Sequence, residues 1–154
     1  GPLHRETLIT LNNLGLGLSK SGKLEEAEAV HREALEAKRE ILGEQHLDTL
    51  QSLSNLGAVL CKAGKLEEAE ETQREALETF QEVLGPKHRH TLVSQSSLAM
   101  TLEQLDWLEE AEQMFREVWE ARREVLGPRH PSTLASLKDL RSTLERSGKL
   151  SITA

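Results

Sequence analysis

The apolar positions of this 154-residue chain first follow a helical period and then repeat as a block. Leu8, Leu11, Leu14 and Leu18 stand three or four apart, the spacing that puts one apolar stripe on a helix, and they predict a helix over 7–21 ended by Gly22. Leu24, Ala27, Val30, Ala34, Leu35, Ile41 and Leu42 form a second stripe, predicting a longer helix over 24–42 with these residues turned inward. Between the apolar positions lie charges in helical register. Glu28 precedes Arg32 by four residues, as Glu70 precedes Arg74 and Glu112 precedes Arg116, the favourable order on a helix. These pairs, and the carboxylates Glu25 and Glu26 at the helix start, read as a solvated face.

The run GKLEEAEAVHREALEAKREIL at 22–42 returns 42 residues later at 64–84, and again, more altered, at 106–126. A fixed period of this length is the signature of stacked supersecondary units, each burying its apolar face against its neighbours. The units run 5–46, 47–88 and 89–130, followed by a half unit at 131–150, all within one domain over 1–154. In the third unit Gln95 takes a leucine place, Ala99 takes a glycine place, and Phe115, Val118 and Trp119 replace His31, Ala34 and Leu35. That added volume calls for a different packing angle there. The half unit is expected to be a polar capping helix, since Arg141 holds the small-residue place of Gly15, Gly57 and Ala99 and the chain stops at Ser151-Ile152-Thr153-Ala154. On this reading the C-terminus is native. Gly1-Pro2-Leu3-His4 falls in register with Gly43-Glu44-Gln45-His46, Gly85-Pro86-Lys87-His88 and Gly127-Pro128-Arg129-His130, so it is read as an inter-repeat linker, with a protease scar as the alternative for Gly1-Pro2.

Small residues mark where two helices cross closely, and the pairs expected to supply that contact are Gly15 with Ala27, Gly57 with Ala69 and Ala99 with Ala111. The spacing Leu14-Gly15, Leu18, Ala27, Ala34 resembles the tetratricopeptide repeat, with the second helix about two turns longer than usual. The linkers Leu84-Gly85-Pro86-Lys87-His88 and Leu126-Gly127-Pro128-Arg129-His130, and the run Leu11-Asn12-Asn13-Leu14-Gly15, are similar to those of the long-repeat subclass found in kinesin light chains. The resemblance implies an all-α right-handed α-solenoid, or superhelix, of helix-turn-helix units. It also implies a concave groove lined by the first helix of each unit. Carried over, the groove positions are Asn12, Asn13, Leu16 and Lys20, then Ser54, Asn55, Ala58 and Lys62, then Ser96, Ser97 and Met100. Their amides, apolar floor and lysines suit an extended peptide, although Asn13 and Asn55 could equally bond between repeats. Of the residues that hold chaperone C-terminal carboxylates in other members, Asn55 alone is matched.

Composition narrows the function. A net charge of −7 and a pI near 5.4 oppose a general grip on nucleic acid. Cys61 is the only cysteine, so neither an internal disulfide nor a thiolate zinc site can form, which fits a reducing, cytoplasmic setting. No apolar run approaches a spanning helix, and no membrane partner is expected. His4, His46, His88 and His130 are one residue repeated, expected to cap helices and pack linkers; the close pair His88 and His90 lacks further ligands for a metal. No phosphate loop or nucleophile motif is present, and neither enzyme activity nor a cofactor is expected. Phe80 and Trp107 stand at positions that are Lys38 and Arg122, or Lys23 and Lys65, in the other units. Each is covered by neighbouring chain or is part of an interface. The expected function is a noncatalytic adaptor for a protein or peptide; the alternative is a self-associating assembly module, with a homo-oligomer as its product.

Overall fold

The computed structural model describes the backbone of residues 2–150 and side chains from Arg5 onward. The chain-end reading built on 151–154, the scar reading of Gly1 and the side chain of His4 lie outside that range. Within it the chain is all α: α1 Pro2–Lys20, α2 Leu24–Leu42, α3 Leu47–Lys62, α4 Leu66–Leu84, α5 Arg89–Gln104, α6 Leu108–Leu126 and α7 Pro131–Arg146. α1 and α2 each have nineteen residues, and from α3 onward sixteen- and nineteen-residue helices alternate.

One boundary differs from the sequence reading. The segment 2–4 is helical, whereas its counterparts at 43–46, 85–88 and 127–130 are linkers. Each of those linkers follows a helix ended by a glycine at positive φ, +89° at Gly43, +90° at Gly85 and +96° at Gly127. Pro2 instead opens a helix, where its fixed φ fits and its missing N–H costs nothing.

The turn inside each repeat uses a left-handed residue, Gly22, Gly64 and Gly148 at φ +82°, +80° and +77°. In the third repeat Asp106 holds that place at +65°. A side chain there is strained, though less for Asp than for most residues.

The chain divides into two compact units, one up to Thr79 and one from Phe80, with α4 crossing the division. In the first, Leu50, Leu53, Leu56 and Leu60 of α3 are buried, as are Ala34 and Leu35 of α2 and Ala69, Ala76 and Leu77 of α4. In the second, Leu92 packs with Val118 and Ala121, while Ala99 packs with Phe115 and Leu140, flanked by Met114, Trp119 and Leu144.

The close helix contacts fall on partners other than those expected. A Cβ at Gly15 would lie 2.7–3.0 Å from the His31 ring, and one at Gly57 would lie 2.7 Å from Gln73 Cγ. The small residue therefore accommodates the side chain 16 positions later, and Ala99 with Phe115 repeats the relation. Ala27, Ala69 and Ala111 are buried, but the glycines make room for His31 and Gln73.

Some stripe residues are not inward. Leu14 is 49% exposed although its counterparts Leu56 and Leu98 are buried, because no described element covers that side of α1. Ile41 and Val83, one position before the last residue of their helices, are also exposed, at 47% and 40%. On α7, Arg141 is exposed, and Leu134 is 52% exposed where Leu8, Leu50 and Leu92 are buried.

Candidate binding face on the first helices

Each linker fixes the start of the next first helix. The Nδ1 atoms of His46, His88 and His130 accept the backbone N–H of Asp48, His90 and Ser132, each at 3.1 Å. This satisfies a helix-start donor that would otherwise lack a partner, with an imidazole in the role usually played by Ser or Asp. Three residues after each histidine comes a buried threonine. Thr49 Oγ1 donates to the Gly43 carbonyl at 2.8 Å, and Thr91 Oγ1 to the Phe80 carbonyl at 3.3 Å, tying the new helix to the end of the old one.

On the outer side the charged pairs do more than face water. Glu28 accepts from Arg32 four residues on, at 3.1 Å, and from Lys65 of the next repeat at 2.8 Å. Its side chain is only 14% exposed. Glu112 is held in the same way by Lys149 at 2.8 Å and Arg116 at 3.2 Å. The hydrogen bond from the lysine, with the arginine's, outweighs desolvation and keeps both carboxyls below the ordinary carboxylate range. Arg32 with Glu68 and Arg39 with Glu75, each at 2.8 Å, continue the rungs from α2 to α4. The expectation of a merely solvated face is thereby corrected for Glu28 and Glu112, which each reach a lysine beyond their own helix, while Glu70 pairs with Arg74 on its own helix at 3.3 Å. Lys65 and Lys149 both directly follow the left-handed glycine that ends a turn, Gly64 and Gly148, and that shared place in the repeat is the signal that could have revealed them.

The first helices present the sequence-derived groove residues. On α1, Asn13, Leu16 and Lys20 are exposed and Asn12 is half-buried; on α3, Ala58 and Lys62 are exposed and Ser54 and Asn55 are half-buried. Asn55 Nδ2 donates to Asn12 Oδ1 at 3.0 Å, and Lys62 Nζ approaches Ser19 Oγ at 3.5 Å. Asn55 thus bonds between repeats, and its partner is Asn12 rather than Asn13. In the second unit Met100 of α5 is 47% exposed and Ser96 and Ser97 are half-buried. There Glu103 accepts from Thr143 and pairs with Arg146 at 3.3 Å, so α7 is fastened to α5. Gln95, the substituted leucine, is buried, with Nε2 donating to Glu117 Oε2 at 2.8 Å.

Of the two displaced aromatics, Phe80 is 3% exposed, covered by its own chain and stacked near His90. Trp107 is 47% exposed. Trp119 is half-buried, with the Arg123 guanidinium 4.4 Å above its ring. His88 and His90 stack at 5.3 Å, and His88 Nδ1 is spent on the helix cap. Among the described residues no group of three or more metal-ligating side chains converges, and no helix is long and apolar enough to cross a membrane.

Three known structures share this architecture. A Podosopora anserina protein whose kinesin light chain nearly identical TPR-like repeats were crystallised superposes with a TM-score of 0.85 at 23% identity, covering 92% of this chain and 67% of its own. BtubC (BKLC) from P. vanneervenii gives 0.80 at 21%, over 88% of this chain and 54% of its own. A T3SS complex from Aeromonas hydrophila gives 0.68 at 17%, over 94% and 85%. No match was found among curated protein sequences. At the sequence level the tetratricopeptide repeat profile matches residues 6–60 and 48–123. The repeating helix pairs, the glycine-accommodated side chains and this match together place the chain in the tetratricopeptide repeat family, with kinesin light chain-like repeats as its structural kin.

Proposed function

We propose that the chain is a noncatalytic adaptor whose first helices hold a segment of a partner protein. Tetratricopeptide repeats generally mediate protein–protein interaction, and the finer assignment here is to the face of α1, α3 and α5. The observation that carries it is the exposure of Asn13, Leu16, Ala58 and Lys62 on the first helices of one unit and, separately, of Met100 on α5 of the other, which offers amide, apolar and ammonium groups beside the fastening residues Asn12, Asn55 and Glu103. Such groups match an extended peptide, with amides for its backbone, shallow apolar contacts and lysines for acidic side chains. The domain is proposed to comprise the repeats at 5–46, 47–88 and 89–130 with the capping half unit at 131–150.

A screen of short peptides by fluorescence polarisation, repeated with the variant Asn13→Ala, Leu16→Ala, Lys62→Ala, tests the reading. Binders lost in that variant support it; binders unaffected by it place the site elsewhere.

A second reading, self-association, is favoured by Leu14, 49% exposed where its counterparts Leu56 and Leu98 are buried, and by Trp107, 47% exposed at a position held by lysine in the first two repeats. Sedimentation over a concentration range decides it: a constant monomer mass removes it.

A further inference from the structure

We propose that the cavity between α1, α2 and the start of α3, of about 850 Å³, binds a carboxylate attached to an apolar group. Comparison of position 38 across the repeats leads there. Phe80, its counterpart in the second repeat, is buried. Arg122, the counterpart in the third, donates to Ser136 Oγ at 2.7 Å and to the Ser132 carbonyl at 3.4 Å. Both side chains are consumed by the fold. Lys38 is not: half-buried in the cavity wall, its Nζ reaches, among the described residues, only the Asp48 carbonyl, at 3.5 Å. Burial pushes this ammonium below its usual range while the charge of Asp48 opposes the shift. A partly desolvated cation with one long hydrogen bond gains from an anion placed beside it.

The rest of the wall selects the anion. Arg5 supplies a second cation, and Asn12, whose Oδ1 is taken by Asn55, keeps its amide N–H groups for a ligand oxygen. Leu8, Ile9, Ile41 and Leu42 form an apolar surface for the ligand's hydrocarbon. Glu6 and Asp48, also on the wall, repel a second negative charge. A monocarboxylate therefore fits better than a phosphate or a dicarboxylate. The volume lies within the range of about 300–1,000 Å³ typical of small-ligand sites. The same chemistry is offered by a free acid with a hydrocarbon tail and by the C-terminal residue of a polypeptide. The site shares Asn12 with the first-helix face but does not depend on a peptide lying along it.

The test titrates ¹⁵N-labelled protein with octanoate and with an N-acetylated tripeptide ending in leucine, each beside its uncharged amide. The acids are expected to shift the amides of Ile9, Asn12 and Ile41 saturably, and to bind at least about tenfold more weakly to Lys38→Met, with Lys38→Arg close to wild type. Whichever acid binds more tightly identifies the source. Were Lys38→Met to unfold, the acid-against-amide comparison in the wild-type protein decides alone. Equal binding of acid and amide, equal binding to a folded Lys38→Met, or no saturable shift with either acid at millimolar concentration overturns the proposal. Loss of peptide binding in the Asn13, Leu16, Lys62 variant would leave these outcomes untouched, so the two readings fail separately.

Discussion

Glu28 and Lys65 are 37 residues apart in the chain and 2.8 Å apart in space. The contact joins α2 to the turn that follows α3, and Glu112 of α6 with Lys149 of the turn that follows α7 makes the equivalent one at 2.8 Å. Glu28→Gln and Lys65→Met are each expected to lower Tm, and the double variant to lose less than the sum of the two, since either change breaks the same bond. Additive losses in this cycle would show the pair to be uncoupled. The acid response has a definite sign. The folded carboxyl of Glu28 titrates below its ordinary value, so the unfolded chain binds the proton more readily. The stabilisation is complete above the ordinary carboxylate range and is lost as pH falls through the folded value. Glu28→Gln should flatten the stability-against-pH curve there.

His31 is fully buried and neither ring nitrogen completes a hydrogen bond. Burial holds the imidazole below its usual value, with Lys38 adding to the effect; the Gly15 backbone counters it only in part. The unfolded chain takes up this proton near pH 6.5, and the folded chain resists it. The contribution is therefore complete above about pH 6.5 and is lost as pH falls from there towards the lowered folded value. Urea midpoints at about pH 7.5 and 5.5 should differ less for His31→Gln than for wild type. Equal differences would contradict the buried neutral ring.

Gly57 gives way to Gln73, whose Cγ would stand 2.7 Å from an added Cβ. Gly57→Leu is expected to cost about 1–3 kcal/mol by overpacking. Gly57→Ala should be better tolerated when Gln73→Ala is also present, because the colliding atom is then removed. Chemical denaturation of the four chains measures the coupling, and its absence would move the constraint to another neighbour.

His88 caps α5 through Nδ1. His88→Ala should cost about 0.5–2 kcal/mol, and His88→Asn should recover most of it, since an amide oxygen can accept the same N–H. Thermal melts of the two variants settle this, with equal Tm values excluding the cap.

Helix number and type were legible because leucine spacing and the 42-residue recurrence are local signals repeated several times. The linker histidines were read as capping residues from their recurrence alone. The partner of each small residue was harder: Gly15 and Ala27 look like a matched pair in sequence, but contact depends on the rotation of two helices, which brings His31 to the glycine instead. The Glu28 and Lys65 contact was hidden because its partners belong to different repeats, whereas the Glu28 and Arg32 pair is visible within a single helix. Asn12, Asn13 and Asn55 are chemically alike in sequence, and only geometry separates the bonded pair Asn12 and Asn55 from exposed Asn13. Leu14 was expected to be buried; the helix stripe records which face is apolar, not whether anything covers it.

The central claim is that a partner segment lies along the first helices. Backbone amide shifts, recorded on labelled protein titrated with the tightest peptide from the screen, test it most directly. The account predicts saturable changes concentrated on α1, α3 and α5, around Asn13, Leu16, Ala58, Lys62 and Met100. Changes confined to the outer helices α2, α4 and α6 would contradict it.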